Sequence, residues 1–102
     1  MIDSACAYIE SLEQFKDLIE NRSNDRLVII DFTATWCPPC QRIGPVFEAM
    51  SREEAHNGQV IFRKVDVDAN SQVSQACAIE AMPTFIAFKN GSEVGRLRGA
   101  NE

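Results

Sequence analysis

The sequence predicts an α/β fold, a central mixed β-sheet flanked by helices. Three observations carry this expectation. Short β-branched runs alternate with segments of helical periodicity, the pattern of strand–helix–strand units. The run "LVIIDF" at 27–32 is apolar almost throughout, as in a strand covered on both faces. The last two runs are joined through Asn90-Gly91, the favoured pair for a tight two-residue hairpin. Alternation followed by a hairpin requires parallel and antiparallel pairs in one sheet.

The elements follow in order. "CAYIE" at 6–10 is a short strand. Ser11 then offers an N-cap oxygen, with Gln14 three residues on as a capping-box partner. Leu12, Phe15, Leu18 and Ile19 line one face of the helix that follows, and 21–26 form a polar loop. After the 27–32 strand, Ile43, Val46, Phe47 and Met50 recur at helix spacing, with Pro45 expected to remove a backbone hydrogen bond and kink that helix. Residues 59–68 form another strand, and Val73, Ala76 and Cys77 one face of a short helix. Strands at 84–88 and 93–97 form the closing hairpin.

The chain has 102 residues, which suits one small domain, 1–102, with one core. A hydrophobic fraction of 45% builds that core without disulfide staples, and a net charge of −5 disfavours nucleic acid as a partner. No apolar run is long enough for a bilayer, so no membrane partner is expected. The first residues lack the basic and apolar regions of a secretory leader, so none is expected.

The chemistry concentrates at "DFTATWCPPC", residues 31–40. Cys37 follows a strand and opens a helix, where orphan N–H groups and the helix dipole stabilise a thiolate. Cys40 lies one turn further, close enough to close a disulfide and to resolve a mixed disulfide formed at Cys37. Cys37, the more N-terminal thiol, is expected to be the more exposed one and the nucleophile. A zinc site would need two further ligands, and His56, Cys6 and Cys77 stand at no metal-ligand spacing. Pro38 and Pro39 suit a first helical turn and stiffen the loop between the sulfurs. Neither donates an N–H, so the Cys40 amide becomes the nearest donor to Cys37. Asp31 interrupts an apolar strand, and burial there raises a carboxyl's pKa. Trp36 beside the thiol is expected to shield it and contact partners. Cys77 is expected to be inert core, Cys6 to be exposed, and His56 to be solvated.

The segments "VIIDFTATWCPPC", "VDVDAN", "AMPTF", "FKNG" and "GAN" closely resemble the thioredoxin family in order and spacing, over nearly the whole chain. The resemblance implies the thioredoxin fold and reduction of protein disulfides through the Cys37/Cys40 dithiol. It implies that Asp31 is the buried acid relaying a proton with Cys40, and that Lys64 pairs with it. It implies a cis peptide before Pro83, setting the Met82 backbone beside the sulfurs for an extended substrate. Gly99 and Ala100 would complete the substrate groove, with Trp36 and Pro38 flanking the thiol.

Electrons would come from a flavin-dependent, NADPH-using thioredoxin reductase, with no cofactor bound to this chain and a cytoplasmic location. The Pro-Pro dipeptide departs from the family's usual Gly-Pro and is similar to tryparedoxin- and nucleoredoxin-type relatives. The rest is similar to cytosolic eukaryotic thioredoxins. The family continues past "GAN" into a C-terminal helix that this sequence lacks, so a bare apolar face and self-association through it are expected. Two other readings stand beside the reductase. One is a thioredoxin-like docking module from a larger protein. The other is an oxidant or isomerase, whose relatives carry a His between the cysteines and a secretory leader.

Overall fold

The computed structural model describes residues 6–20, 26–54, 58 and 60–99. The elements are β1 (Cys6–Tyr8), α1 (Leu12–Glu20), β2 (Leu27–Thr33), α2 (Pro38–Glu54), β3 (Val60–Asp66), α3 (Ser71–Ala76), β4 (Thr84–Lys89) and β5 (Ser92–Arg98). The strands form one five-stranded sheet in the order β1-β3-β2-β4-β5. β3 pairs in parallel with β1 and β2, while β4 pairs antiparallel with β2 and β5. The expected mixed sheet is therefore present, with β2 at its centre.

Period-two alternation divides β2 between two layers. Val28, Ile30 and Phe32 enter the larger core with Phe15 of α1 and Val73 of α3, where Phe15 meets Phe88 edge-on at 5.5 Å. Ile29 lies on the opposite face, in a smaller core where Phe47 of α2 meets Phe62 at 5.2 Å. Helix α1 starts as its capping residues dictate. Ser11 Oγ accepts from the Gln14 amide at 3.0 Å. Gln14 Oε1 reaches back to the Glu10 amide at 2.6 Å, one residue beyond the Ser11 amide that a full capping box uses.

Some expectations need correction. The buried face of α3 is Val73, Ser74 and Cys77; Ala76 is exposed. Six residues complete less than two turns, so 73 and 76 diverge where the helix ends and Ala78 takes φ +55°. Pro45 lies inside α2 as expected, whereas Val46 and Met50 on that helix are about half exposed. Most of the 21–26 loop, Ala100, His56 and the chain beyond Gly99 lie outside the described residues, as does the side chain of Cys6.

The closing hairpin turns at Asn90 (φ 54°) and Gly91 (φ 82°), with Lys89 paired to Ser92. A side chain at Gly91 would have room, its nearest neighbour being the Ile19 carbonyl oxygen at 3.7 Å, so the cost of one is conformational. Gly91→Ala is expected to lose about 1–2 kcal/mol of stability in urea melts, the penalty for a left-handed Cβ residue. Asn90→Gly is expected to lose much less.

Candidate active site

The strand–helix junction after β2 brings the two cysteines together. Cys37 immediately precedes α2, its amide donating to the Ala34 carbonyl at 3.3 Å and its carbonyl accepting from the Gln41 amide at 3.1 Å. Cys37 and Cys40 are joined in a disulfide with Cα atoms 5.2 Å apart. The Cys40 amide points at Cys37 Sγ from 3.3 Å, the donor the two prolines leave available. The Gln41 side chain donates to the carbonyls of Ala34 at 3.2 Å and Thr35 at 3.4 Å, bracing the turn from inside the helix.

The expected difference in exposure between the thiols is absent. Cys37 is 4% exposed and Cys40 3%. Ala34 is buried with the two cysteines, and Val67 and Met82 pack against them. Trp36 projects instead, 62% exposed, its indole Nε1 donating to Asp68 Oδ2 at 2.6 Å. The two sulfurs therefore differ in what points at them rather than in access: only Cys37 Sγ receives the helix amide.

The Met82–Pro83 peptide is cis, and the Met82 carbonyl oxygen lies 3.7 Å from Cys37 Sγ. The Pro83 carbonyl accepts from the Gly99 amide at 2.7 Å, which draws Gly99, at φ 80°, alongside. Thus Trp36 and Pro38 belong to the turn that carries the disulfide, the Met82 carbonyl stands beside Cys37 Sγ, and Gly99 is tied to Pro83.

Beneath it lies a cavity of about 400 Å³ lined by Asp31, Cys40, Glu48, Lys64 and Tyr8 among others. The strand register explains this membership. Tyr8 of β1 is paired to Lys64 of β3, and Lys64 to Asp31 of β2, so all three stand in one row on the face under α2. Cys40, Gly44 and Glu48 follow at intervals of four along the helix above.

Asp31 is 1% exposed, and among the described residues no group donates to its Oδ1. Burial pushes its carboxyl up to about 6, against a smaller downward pull from the Lys64 charge. Lys64 departs from the simple pairing expected. Its ammonium donates to Glu48 Oε2 at 2.5 Å and stands 5.0 Å from the centre of the Tyr8 ring, while acting on Asp31 through space.

Sequence reasoning overlooked Glu48, Tyr8 and Gln41. The spacing 40, 44, 48 was the available signal for Glu48. Asp68 had none, since it meets Trp36 only through the fold. Cys77 is buried, and burial pushes its thiol up to about 11, away from reactive character.

A dithiol at a helix start, a carbonyl from a cis-proline loop beside it and a buried acid beneath it define a protein of dithiol–disulfide exchange. The chain belongs to the thioredoxin family, whose sequence model matches residues 7–102. The thioredoxin of Ictalurus punctatus is 50% identical over 95 residues, covering 93% of this chain and 87% of that protein. The Homo sapiens thioredoxin is 43% identical over 94 residues, covering 92% and 86%. The crystal structure of Malassezia sympodialis thioredoxin matches with a TM-score of 0.87 at 46% identity, covering 99% of this chain and 84% of that one. With these relatives and the joined Cys37–Cys40 pair, the chain is a protein thiol–disulfide oxidoreductase acting on disulfide-containing partners. No helix among the described residues is long and apolar enough to cross a membrane.

The buried acid makes stability depend on pH. Below the ordinary value of 3.8, Asp31 is protonated folded or unfolded. Between 3.8 and about 6 the unfolded chain releases the proton first, so the stability present at low pH is lost across this window. The difference corresponds to about 3 kcal/mol. Asp31→Asn is expected to recover about that much in urea melts near neutral pH and almost none below the ordinary carboxylate range. An equal gain at both would show that burial does not hold the acid protonated.

Proposed function

We propose that this chain is a cytoplasmic reductant of protein disulfides, recharged by an NADPH-dependent thioredoxin reductase and so a carrier in electron transport and redox homeostasis. The observation that carries the reading is the asymmetric dithiol: the Cys40 amide aims at Cys37 Sγ from 3.3 Å at the start of α2. That amide and the helix dipole stabilise a Cys37 thiolate. The thiolate attacks a substrate sulfur, forming a mixed disulfide and expelling the first substrate thiolate. Cys40 then gives its proton to the Asp31 carboxylate and attacks Cys37 Sγ. The second substrate thiolate leaves, and the Cys37–Cys40 disulfide remains.

The Lys64 charge tempers Asp31 as the base. The Met82 backbone, with Pro83 and Gly99, offers an edge on which an extended substrate segment hydrogen-bonds, and Trp36 and Pro38 cover the attacked bond. Ala100 extends that edge by the family resemblance. The cytoplasmic location and the reductase partner rest on the resemblance to cytosolic eukaryotic members. No feature among the described residues favours a docking module.

Insulin reduction tests the reading. With NADPH and thioredoxin reductase, the wild type is expected to precipitate insulin chains catalytically, and Cys37→Ser is expected to fall to background. A wild type no faster than Cys37→Ser would leave only docking. The Cys37–Cys40 potential is expected near about −270 mV; a value near about −180 mV would mark an isomerase instead.

Self-association belongs to the same proposal. On the other side of α2, a wholly apolar groove of about 250 Å³ is lined by Ile29, Val46, Phe47, Met50, Phe85 and Leu97 among others. It adjoins β5, an edge strand whose residues are all exposed. A second copy, placing the same apolar patch and strand edge across a two-fold axis, would cover both. Sedimentation under reducing conditions is expected to show a dimer that Leu97→Glu dissociates. A wild type that stays monomeric at high concentration would refute it.

A further inference from the structure

One carboxylate lining the cavity beneath the disulfide has no part in the exchange steps above. Glu48 lies on α2, two helical turns beyond Cys40, and its side chain is 37% exposed. It holds Lys64 Nζ at 2.5 Å, on a lysine whose own side chain is only 12% exposed. The ammonium donates to Glu48 and lies 5.0 Å from the centre of the Tyr8 ring. Asp31 stands next to Lys64 across the parallel β2–β3 pair, and its Oδ1 receives no donor among the described residues. A four-carbon lysine stem is flexible enough to serve either acid. Which carboxylate holds the ammonium therefore decides how strongly Asp31 binds a proton.

We propose that Glu48 is a positioning residue for the resolving step: by anchoring the Lys64 ammonium to itself, it keeps Asp31 a strong enough base to take the proton from Cys40. The inference rests on the reading of Asp31 as that base. The physical reason is Coulombic. An ammonium brought into contact with a carboxylate stabilises its charged form and weakens it as a base, whereas one held further off does so less. The titratable and charged groups lining the cavity around Asp31 are Tyr8 from β1, Lys64 from β3, and Cys40, Glu48 and Arg52 from α2. Lys64 is the one cation among them adjacent to Asp31 in the sheet register. Glu48 acts through Lys64 and touches neither sulfur nor substrate.

The test uses the reduced protein and an aromatic disulfide whose two thiolates absorb light on release. The first release reports attack by Cys37, and the second reports resolution by Cys40. The pH dependence of the second phase is measured for wild type, Glu48→Gln, Lys64→Met, the double variant and Asp31→Asn. Asp31 is followed in parallel by its carboxyl carbon resonance.

Glu48→Gln is expected to move the acid limb of the second phase, and the Asp31 titration, to lower pH by about one unit, as the freed ammonium settles on Asp31. Lys64→Met moves both to higher pH. In the Lys64→Met background, Glu48→Gln is expected to add little, the signature of an effect carried by Lys64. A Glu48→Gln profile that overlays the wild type overturns the inference, as does an equal shift with and without Lys64. Asp31→Asn separates the two levels. A limb lost in Asp31→Asn but unmoved in Glu48→Gln overturns the positioning role alone. A limb that survives Asp31→Asn overturns the reading of Asp31 as base, and the inference with it.

Discussion

The structure depends on one constraint: the central strand β2 is covered on both faces, yet it carries an ionisable group. Burial of Val28, Ile30 and Phe32 against α1 and α3 anchors the strand, and the two-residue period then forces Asp31 onto the face under α2. A one-residue slip would turn the acid into the larger core and the apolar side chains out of it, so register is strongly specified. The same register lines up Tyr8, Lys64, Asp31, Phe85 and Leu97 in one row across all five strands. That row is polar from β1 to β2 and apolar from β4 to β5.

Helix α2 lies over the point where the row changes character. Its Cys40, Gly44 and Glu48 close the polar cavity, while its Val46, Phe47 and Met50 face the apolar groove. One helix thus separates a polar, titratable compartment from an apolar one, and its first turn carries the disulfide. The two prolines fit this placement. They occupy positions where a helix has no use for an N–H, and they leave the Cys40 amide as the donor to Cys37. The opposite wall of the site is backbone: the Met82 carbonyl on one side of the sulfur, and Gly99 tied to Pro83 further along.

Much of the site was legible before the fold was known. The C-x-x-C pair at a strand-to-helix junction and the isolated acid in an apolar strand each carry a local signature. The expected exposure of Cys37 failed because accessibility depends on what the distant Met82 loop folds against. The expected Lys64–Asp31 pair was incomplete for a similar reason. Strand register brings those two side by side, but Glu48, sixteen positions from Lys64 in the chain, competes for the ammonium. Ala76 was assigned to a buried face on a helical period that a six-residue helix does not sustain.

The sequence by itself determined the alternation of strands and helices, the hairpin at Asn90-Gly91, the dithiol and the burial of the acid. Each of these follows from neighbours within a few residues, through periodicity, turn chemistry or helix-end electrostatics. Only the tertiary structure decided which charges share the cavity and how Lys64 is held. It also decided which side of α2 is polar and how the Met82 and Gly99 backbones meet the sulfurs. Those outcomes are set by contacts between segments far apart in the chain, where the energy depends on distance and dielectric in the assembled fold and leaves no local pattern to read.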